Sequence, residues 1–362
     1  MAEQLKNLFN EKFINQFSIN IKYHFSDFKE LEFNNSIFDD TWNELELKQR
    51  MRHISTKVFE YLPKDYEESI NILKQTYPYM IGEGIRLENI IFQDFVEVYG
   101  LEHWNISMDA LECFTRSCSS EFAIRQFILK DEEKAMNQML IWAVSDDHEL
   151  RRLASEGCRS RLPWAISLPS FKKDPTKVLE VLELLKDDDS KYVQKSVANN
   201  LNDISKDNPE IVIDIVKKWK GFSKNRDWIL KHGSRTLLKA SNKDILELFG
   251  YKNSTSLTLE NFICSDIVKE GEEVLFSFDI VTKEKMDKLR VEYKLDFLRA
   301  NGKHNSKVFK ISEVEDFIGI KSINKKHSFK AISTRRYYLG MHRLSVIING
   351  IVLDECSFEL VQ

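Results

Sequence analysis

The sequence predicts two domains of different class, a helical-repeat solenoid over residues 1–250 and an all-β sandwich over residues 255–362. The 362 residues are more than one hydrophobic core usually organises. Apolar residues recur at three- and four-residue spacing in the first part, and alternate with polar residues in the second. The last proline is Pro209 and the last tryptophan is Trp228, so composition changes together with periodicity.

Three helices of the first part overlay as a repeat. Leu150–Glu156, Val193–Asn199 and Ile229–Arg235 begin 43 and 36 residues apart, and a turn rich in small polar or charged residues precedes each. A period of about 40 residues is typical of HEAT-like repeats, which stack into a solenoid with a concave wall. The alternative is three unrelated amphipathic helices. Helical spacing is also clear over Ile70–Gln75, Ile90–Tyr99 and Ala135–Val144.

The second part reads as six or seven short strands. Leu289–Phe297 alternates apolar and charged residues without a break, which is typical of a half-buried strand. Asn349-Gly350 is a strong hairpin-turn signal. The spacing predicts an immunoglobulin-like sandwich, although the missing Cys–Trp–Cys pattern excludes a true antibody domain. The other candidate strands are Val274–Val281, Lys307–Ile311, His327–Ile332, His342–Ile348 and Ile351–Val361.

The net charge of −4 is distributed unevenly along the chain. Residues 1–149 carry 15 basic and 27 acidic side chains, whereas residues 150–240 carry 19 basic and 12 acidic ones. Residues 255–362 nearly balance, with 17 and 16. The average argues weakly against nucleic-acid binding, but the basic block is a local excess of the kind that binds polyanions.

Several classes of function find no support in the sequence. The five cysteines are scattered, without a CxxC pair, which fits a reducing cytosol. The eight histidines form no HxH or HxxxH pair, so we predict neither a metal site nor a cofactor. There is no run of about 18 apolar residues and no signal-peptide core, so we expect a cytoplasmic protein without a membrane span.

Two acidic residues stand out inside the basic block. In the repeat overlay, Glu156, Asn199 and Arg235 share one column. The middle helix also carries a stripe of short polar side chains beside its apolar face, formed by Ser196, Asn199, Asn200 and Asp203. Neighbouring repeats present equivalent faces side by side, so Glu156 and Asp203 are predicted to lie close together. The cations expected around them are Arg152, Arg159, Arg161, Lys195, Lys231 and Arg235.

Carboxylates among cations fit a reaction that creates positive charge on a bound polyanion. Basic side chains hold phosphates, and carboxylates stabilise a cationic alkylated base or the oxocarbenium-like sugar that its loss leaves. Trp164 follows Pro163 where the first helix must end, and is a candidate to contact the sugar or base. Simpler alternatives are an Arg152–Glu156 ion pair, a solvated or capping Asp203, a core position for Trp164, and a packed or surface His232.

Three motifs of the basic block carry a family resemblance. Arg151–Ala165 (RRLASEGCRSRLPWA), Lys191–Asp207 (KYVQKSVANNLNDISKD) and Asp227–Lys239 resemble the signature of AlkC-type DNA alkylation repair glycosylases of the AlkC/AlkD superfamily. The resemblance covers roughly residues 60–250. The strand-rich tail resembles the immunoglobulin-like domain that some members append.

The resemblance implies a DNA glycosylase of base excision repair that folds as a HEAT-like solenoid. Such an enzyme removes cationic alkylated bases, above all 3-methyladenine and also 3-methylcytosine. It is monofunctional, forms no Schiff base and does not flip the base into a deep pocket. The family's catalytic carboxylates fall on Glu156 and Asp203, and its active-site tryptophan on Trp164. We expect a monomer that acts on double-stranded DNA containing alkylated bases, associated with the nucleoid.

Polar and basic side chains of the repeats are the candidates for contacts with DNA. They are Arg152, Arg159, Arg161, Lys195, Asn199, Asn200, Lys231, His232 and Arg235. In the second domain, the basic runs Lys325–Lys330 and Thr334–Tyr338 are predicted to clamp DNA, the alternative being solvated loops. The alternative function is a non-catalytic HEAT-repeat module that binds DNA or a protein. Carboxylates in the basic block favour the enzyme, because a pure DNA-binding scaffold would more naturally carry Lys, Arg, Ser or Asn there.

Overall fold

A computed structural model describes residues 4–82, 86–252, 254–331 and 336–362. The part of the chain before the sheet is helical, with short 3-10 turns between some helices. Its α-helices in the described ranges are α1 Glu11–His24, α2 Glu30–Ile37, α3 Leu47–Tyr61, α4 Tyr66–Thr76, α5 Ile90–Tyr99, α6 Trp104–Phe114, α7 Ile124–Lys130, α8 Glu132–Ala143, α9 His148–Gly157, α10 Pro169–Lys173, α11 Thr176–Leu185, α12 Lys191–Ile204, α13 Pro209–Trp219, α14 Lys224–Gly233, α15 Arg235–Lys239 and α16 Lys243–Leu248.

Capping and amphipathic spacing define the two helices that matter most for the site. At the start of α9, the Asp147 carboxylate accepts a hydrogen bond from the Glu149 backbone N–H at 2.9 Å, and so satisfies one unpaired donor of the first turn. On α12, Val193, Val197 and Leu201 are fully buried, which confirms the predicted apolar face. The helices predicted around residues 70, 90 and 135 are confirmed as α4, α5 and α8.

The third overlaid segment is not one helix, and here the sequence prediction is wrong. Helix α14 ends at Gly233, and α15 begins at Arg235. Glycine is a poor helix former, and Ser234 leaves the helical conformation with ψ near 5°. Arg235 therefore does not belong to the same helix as Ile229, contrary to the overlay.

Two compact units make up the chain. One unit consists of residues 1–208 and 221–232, and the other of residues 209–220 and 233–362. Helices α13, α15 and α16 thus belong to the unit that holds the sheet, and the predicted division between residues 250 and 255 stays a prediction. Within the described ranges, no helix has the length and apolarity needed to cross a lipid bilayer.

One six-stranded sheet forms the β-rich part of the described residues. Its strands are β1 Thr258–Cys264, β2 Ile267–Lys269, β3 Glu273–Leu298, β4 His304–Ser328, β5 Gly340–Ile348 and β6 Ile351–Val361. The order is β1-β3-β5-β6-β2, and β4 pairs with β3. All pairings are antiparallel except that of β2 with β6.

The predicted count of six or seven strands agrees with the six observed, but the boundaries need correction, because four expected short strands lie in two long ones. Val274–Val281 and Leu289–Phe297 are halves of β3, and Lys307–Ile311 and the start of His327–Ile332 belong to β4. Irregular pairing between Thr282 and Met286 lets β3 change partners from β1 to β5 without ending. Strands β1 and β2 were not predicted. Residues 332–335, which include part of the second basic run, lie outside the described residues.

The turn between β5 and β6 confirms the Asn-Gly signal. Asn349 and Gly350 have φ of 45° and 83°, as a two-residue hairpin loop of type I′ requires. The Asn349 side chain accepts from the Arg290 N–H at 2.7 Å and donates to the Lys252 carbonyl at 2.7 Å. The turn is therefore tied to the rest of its unit by specific hydrogen bonds.

Replacing Gly350 by alanine is expected to destabilise the fold more than the same change at Gly302. Both glycines have positive φ, for which an alanine costs about 1–2 kcal/mol. A Cβ at Gly350 would also lie 2.3 Å from Leu246 Cδ1, whereas nothing lies within 4 Å of one at Gly302. Overpacking adds about 1–3 kcal/mol. Urea denaturation of both variants measures the difference, and equal losses would contradict the packing described.

Candidate functional site

Helices α9 and α12 pack side by side through small polar residues. Ser155 Oγ donates to Ser196 Oγ at 2.6 Å, and Asn200 Nδ2 donates to the Ser155 carbonyl at 2.8 Å. All three side chains are buried. Short side chains let the two helices approach closely, so residues near the ends of this interface meet their counterparts across it. Ser196 and Asn200 of the polar stripe predicted on α12 therefore face α9.

Glu156 lies at the edge of this interface and is almost fully buried. Its Oε2 accepts from Ser196 Oγ at 2.5 Å, and its Oε1 accepts from Arg159 Nη1 at 2.6 Å. Arg152 Nη2 lies 3.5 Å from the same Oε1, so the predicted ion pair along the helix is present. A buried carboxylate needs such partners, because water is excluded from it.

Arg159 bridges the two carboxylates that the sequence singled out. Its Nε and Nη2 each lie 2.8 Å from Asp203 Oδ2, while Nη1 contacts Glu156. Asp203 Oδ1 also accepts from Lys206 Nζ at 3.0 Å. Burial alone lowers the pKa of Arg159, but Glu156 and Asp203 raise it, and the net shift is upward. The structure thus brings Glu156 and Asp203 to opposite sides of one permanently charged guanidinium.

A third carboxylate, Glu121, completes the cluster. It forms a hydrogen-bonded ion pair with Arg152, whose guanidinium carbon lies 4.7 Å from the centre of the Tyr192 ring. Burial raises the pKa of the Glu121 carboxyl, and the charge of Arg152 offsets this only in part. Acids and bases alternate along the cluster, in the order Glu121, Arg152, Glu156, Arg159, Asp203 and Lys206.

Trp164 stands beside this cluster with 63% of its surface exposed, so the expected alternative of a core position is wrong. Its φ of 64° is uncommon for a residue other than glycine. Trp164 lines a cleft of about 350 Å³ together with Glu156 and Arg159. The remaining lining residues of the cleft are Leu87, Ile90, Cys118, Ser119, Glu121, Phe122, Arg152, Leu162, Pro163 and Tyr192. Glu121, Glu156 and the indole thus meet at one cleft, and Arg159 links this cleft to Asp203.

The residues predicted to contact DNA differ in how exposed they are in the structure. Arg161 is exposed and pairs with Asp207, with Nε 3.0 Å from Oδ2. Lys195 is exposed on α12. In contrast, Asn200 is fully buried with its amide committed to the Ser155 carbonyl, so we leave it out of the proposed DNA contacts below.

The remaining candidates lie on α12, α14 and α15. His232 stacks on Trp228 with ring centres 5.1 Å apart, and Lys191 Nζ lies 5.6 Å from the centre of the Trp228 ring. Lys231 and Asn199 are half-buried. Arg235 opens α15 in the other unit.

Sequence analysis missed three residues of the site. Glu121 and Tyr192 line the cleft, and Arg125 is fully buried behind it. Arg125 Nη1 donates to the Gly157 and Arg159 carbonyls at 3.0 and 2.7 Å, and burial lowers its pKa to about 10. Glu121 and Arg125 precede the recognisable motifs, so no pattern within those motifs could have pointed to them.

Comparisons with known proteins agree on one family. The family described as "DNA alkylation repair enzyme" matches residues 115–239, and "Uncharacterised protein YhaZ, C-terminal Ig-like domain" matches residues 259–362. The uncharacterized protein YhaZ of Bacillus subtilis (strain 168) is 44% identical, over 98% of this chain and 99% of the relative. A solved structure of the Pseudomonas fluorescens alkylpurine DNA glycosylase AlkC is 31% identical and superimposes with a TM-score of 0.94, covering 99% of this chain and 100% of that one. The chain belongs to the AlkC family.

Membership in the AlkC family confirms the recognition made from the motifs, and with it the fold class. The helical N-terminal region and the Ig-like C-terminal domain are both features of the matched proteins. The Pseudomonas AlkC was solved bound to DNA containing an abasic site analog. The roles of individual residues in this chain are not tested by these similarities and stay predictions.

Replacing Glu121 by glutamine is expected to change how stability depends on pH. Because the folded state raises the pKa of Glu121, the contribution of this carboxyl to stability is present below its unfolded pKa of about 4.3 and is lost as pH rises through the folded value. Glutamine does not titrate. The free energy of unfolding of Glu121→Gln minus that of the parent should therefore grow as pH rises above about 4.

Glu102 provides the matched control, because a hydrogen bond from Lys130 lowers its pKa. The stabilising effect of that carboxylate is lost as pH falls through its folded pKa. Glu102→Gln should therefore show a difference of opposite slope in the same urea titrations. A Glu121→Gln difference that shrinks with rising pH would contradict the burial described for Glu121.

Proposed function

We propose that this chain is a DNA glycosylase that hydrolyses the N-glycosidic bond of cationic alkylated bases in double-stranded DNA. The observation that carries the proposal is the buried pair Glu156 and Asp203, joined through Arg159 beside the exposed Trp164. The proposed substrates are 3-methyladenine and 3-methylcytosine. The family model for DNA alkylation repair and the likeness to AlkC support the reaction class.

The carboxylates act by electrostatic stabilisation of a developing cation. An N3-alkylated base is already positively charged, so its departure leaves a sugar with oxocarbenium character and a neutral base. Two fixed carboxylates in a poorly hydrated site stabilise that sugar charge more strongly than water does. One of them also orients the attacking water. Because the bond is labile from the start, the enzyme needs less barrier lowering than for an undamaged nucleotide.

The arginines of the cluster hold the carboxylates in place rather than hold phosphates. Arg152 and Arg159 are engaged by Glu121, Glu156 and Asp203. Without these cations, two buried carboxylates close together would repel each other and resist ionisation. This revises the sequence-based view that both arginines contact the DNA backbone. The DNA contacts we propose are Arg161, Lys195, Lys231, His232, Asn199 and Arg235.

The proposed reaction is monofunctional and proceeds on a base that stays outside a deep pocket. Trp164 is exposed at the rim of the cleft, where an indole can lie against the sugar or base of a bent duplex. The lysine beside the carboxylates, Lys206, donates to Asp203 and is not assigned to attack the sugar. We further propose that the protein acts as a monomer.

The direct test is incubation of the full-length protein with methylated duplex DNA, followed by chromatography of the released bases. Release of 3-methyladenine or 3-methylcytosine is expected, with an intact abasic strand and no protein–DNA adduct trapped by borohydride. A trapped adduct would contradict the monofunctional assignment. If the protein releases no base of any kind, the alternative function remains, which is a non-catalytic DNA-binding module.

Glu156→Gln and Asp203→Asn are each expected to slow base release by about 100-fold or more while DNA affinity changes little, because only the transition state loses its counter-charge. Asp214→Asn is the matched control, since Asp214 is an exposed acid that pairs with Lys217 and not with a proposed DNA contact. Single-turnover rates and gel-shift affinities separate the two effects. Parental rates in both carboxylate variants would overturn the assignment.

Lys195→Met is expected to weaken DNA binding about equally on damaged and undamaged duplexes. Loss of one phosphate contact should also reduce the slope of log Kd against log salt by about one. Lys29→Met serves as the control, because Lys29 is far from Lys195 in sequence and pairs with Glu32. An unchanged salt slope in Lys195→Met would remove Lys195 from the proposed DNA contacts.

A further inference from the structure

Hydrogen bonds to backbone carbonyls, and not packing of the indole, hold the segment that carries Trp164 in place. This segment runs between α9 and α10, and the Trp164 ring is largely exposed. The left-handed conformation of Trp164 is strained for an L-residue with a Cβ. A residue that is strained and exposed keeps its conformation only when its surroundings impose it.

Two cationic side chains from distant parts of the chain impose the conformation of Trp164 by donating hydrogen bonds to backbone carbonyls. Arg125 Nε donates to the Ile166 carbonyl at 2.7 Å, on one side of Trp164. Lys48 Nζ donates to the carbonyl of Trp164 itself at 3.0 Å. Arg125 is fully buried and also binds the end of α9, whereas Lys48 reaches over from α3, 116 positions away in sequence.

Lys48 has two direct contacts at the rim of the cleft in the described structure, and its charge also acts to lower the pKa of Glu97. Its ammonium lies 5.4 Å from the centre of the Phe122 ring, one of the residues that line the cleft. The aromatic face and the carbonyl together fix the lysine between α3 and the rim of the cleft. The acidic residue Glu46, two positions earlier on the chain, pairs with Lys6 instead.

We propose that Lys48 is a positioning residue for the glycosylase reaction, which locks the strained Trp164 into the conformation that meets the DNA. This rests on the function proposed above for Trp164. In this role the Lys48 ammonium donates a hydrogen bond to the Trp164 carbonyl, and it contacts neither a phosphate nor the reacting atoms. When Lys48 is lost, the Trp164 segment relaxes, and the indole spends less time beside the carboxylates where the lesion reacts.

Lys48→Met is expected to lower the single-turnover rate of base release by about tenfold and to leave DNA affinity nearly unchanged, because misplacement of a positioning group costs rate. Lys48→Arg, which can still donate to the carbonyl, should recover most of that loss. Lys57→Met is the matched control, since Lys57 lies on the same helix and pairs only with exposed Glu60 among the described contacts.

A double-mutant cycle with Trp164→Ala decides how Lys48 acts. If Lys48 works through Trp164, Lys48→Met causes no further loss of rate in the Trp164→Ala background. An undiminished tenfold loss in that background, or a change in salt slope, would show that Lys48 contacts DNA instead, and would overturn the proposal. Circular dichroism and urea denaturation verify that each variant is folded.

The rates of the parent and of Lys48→Met also distinguish failure of this proposal from failure of the function on which it rests. If the parent protein releases no base, the proposed function fails. If the parent releases base and Lys48→Met does so at the parental rate, only the positioning role of Lys48 fails.

Discussion

The guanidinium of Arg159 is the element on which the rest of the site depends. It contacts Glu156 with one nitrogen and Asp203 with two others, and all three side chains are almost fully buried. Two carboxylates at such a depth would repel each other without a cation between them. Arg159 allows both to lie close together, and its planar donors fix where each one points. The site is therefore organised before DNA arrives.

The packing of helices α9 and α12 makes that bridge possible. Small side chains between α9 and α12, above all Ser155, Ser196 and Asn200, let the helices approach closely. Ser196 also donates to Glu156, so one interface both packs the two helices and orients a candidate catalytic group. On the far side of Glu156, Glu121 holds Arg152 and extends the alternation of charge. A formally neutral, hydrogen-bonded cluster of this kind needs little rearrangement when positive charge develops nearby.

Much of this could be predicted from the sequence, and the limits have physical reasons. Glu156 and Asp203 lie on helices with strong apolar periodicity, and equivalent helices of a repeat face the same way, so their proximity followed from spacing. Glu121 and Lys48 reach the site across the fold from segments without a motif, and only coordinates bring them there. The break at Gly233 and the bulge in β3 are backbone events that amphipathic patterns do not report.

The central claim is that Glu156 and Asp203 stabilise positive charge on the sugar. The most direct measurement compares the affinity of the full-length protein for two duplexes, one with a cationic pyrrolidine abasic analogue and one with its neutral tetrahydrofuran counterpart. The account predicts that the parent prefers the cation by at least about tenfold, or roughly 1.4 kcal/mol, and that Glu156→Gln and Asp203→Asn lose this preference. Equal affinity of the parent for both duplexes would contradict it.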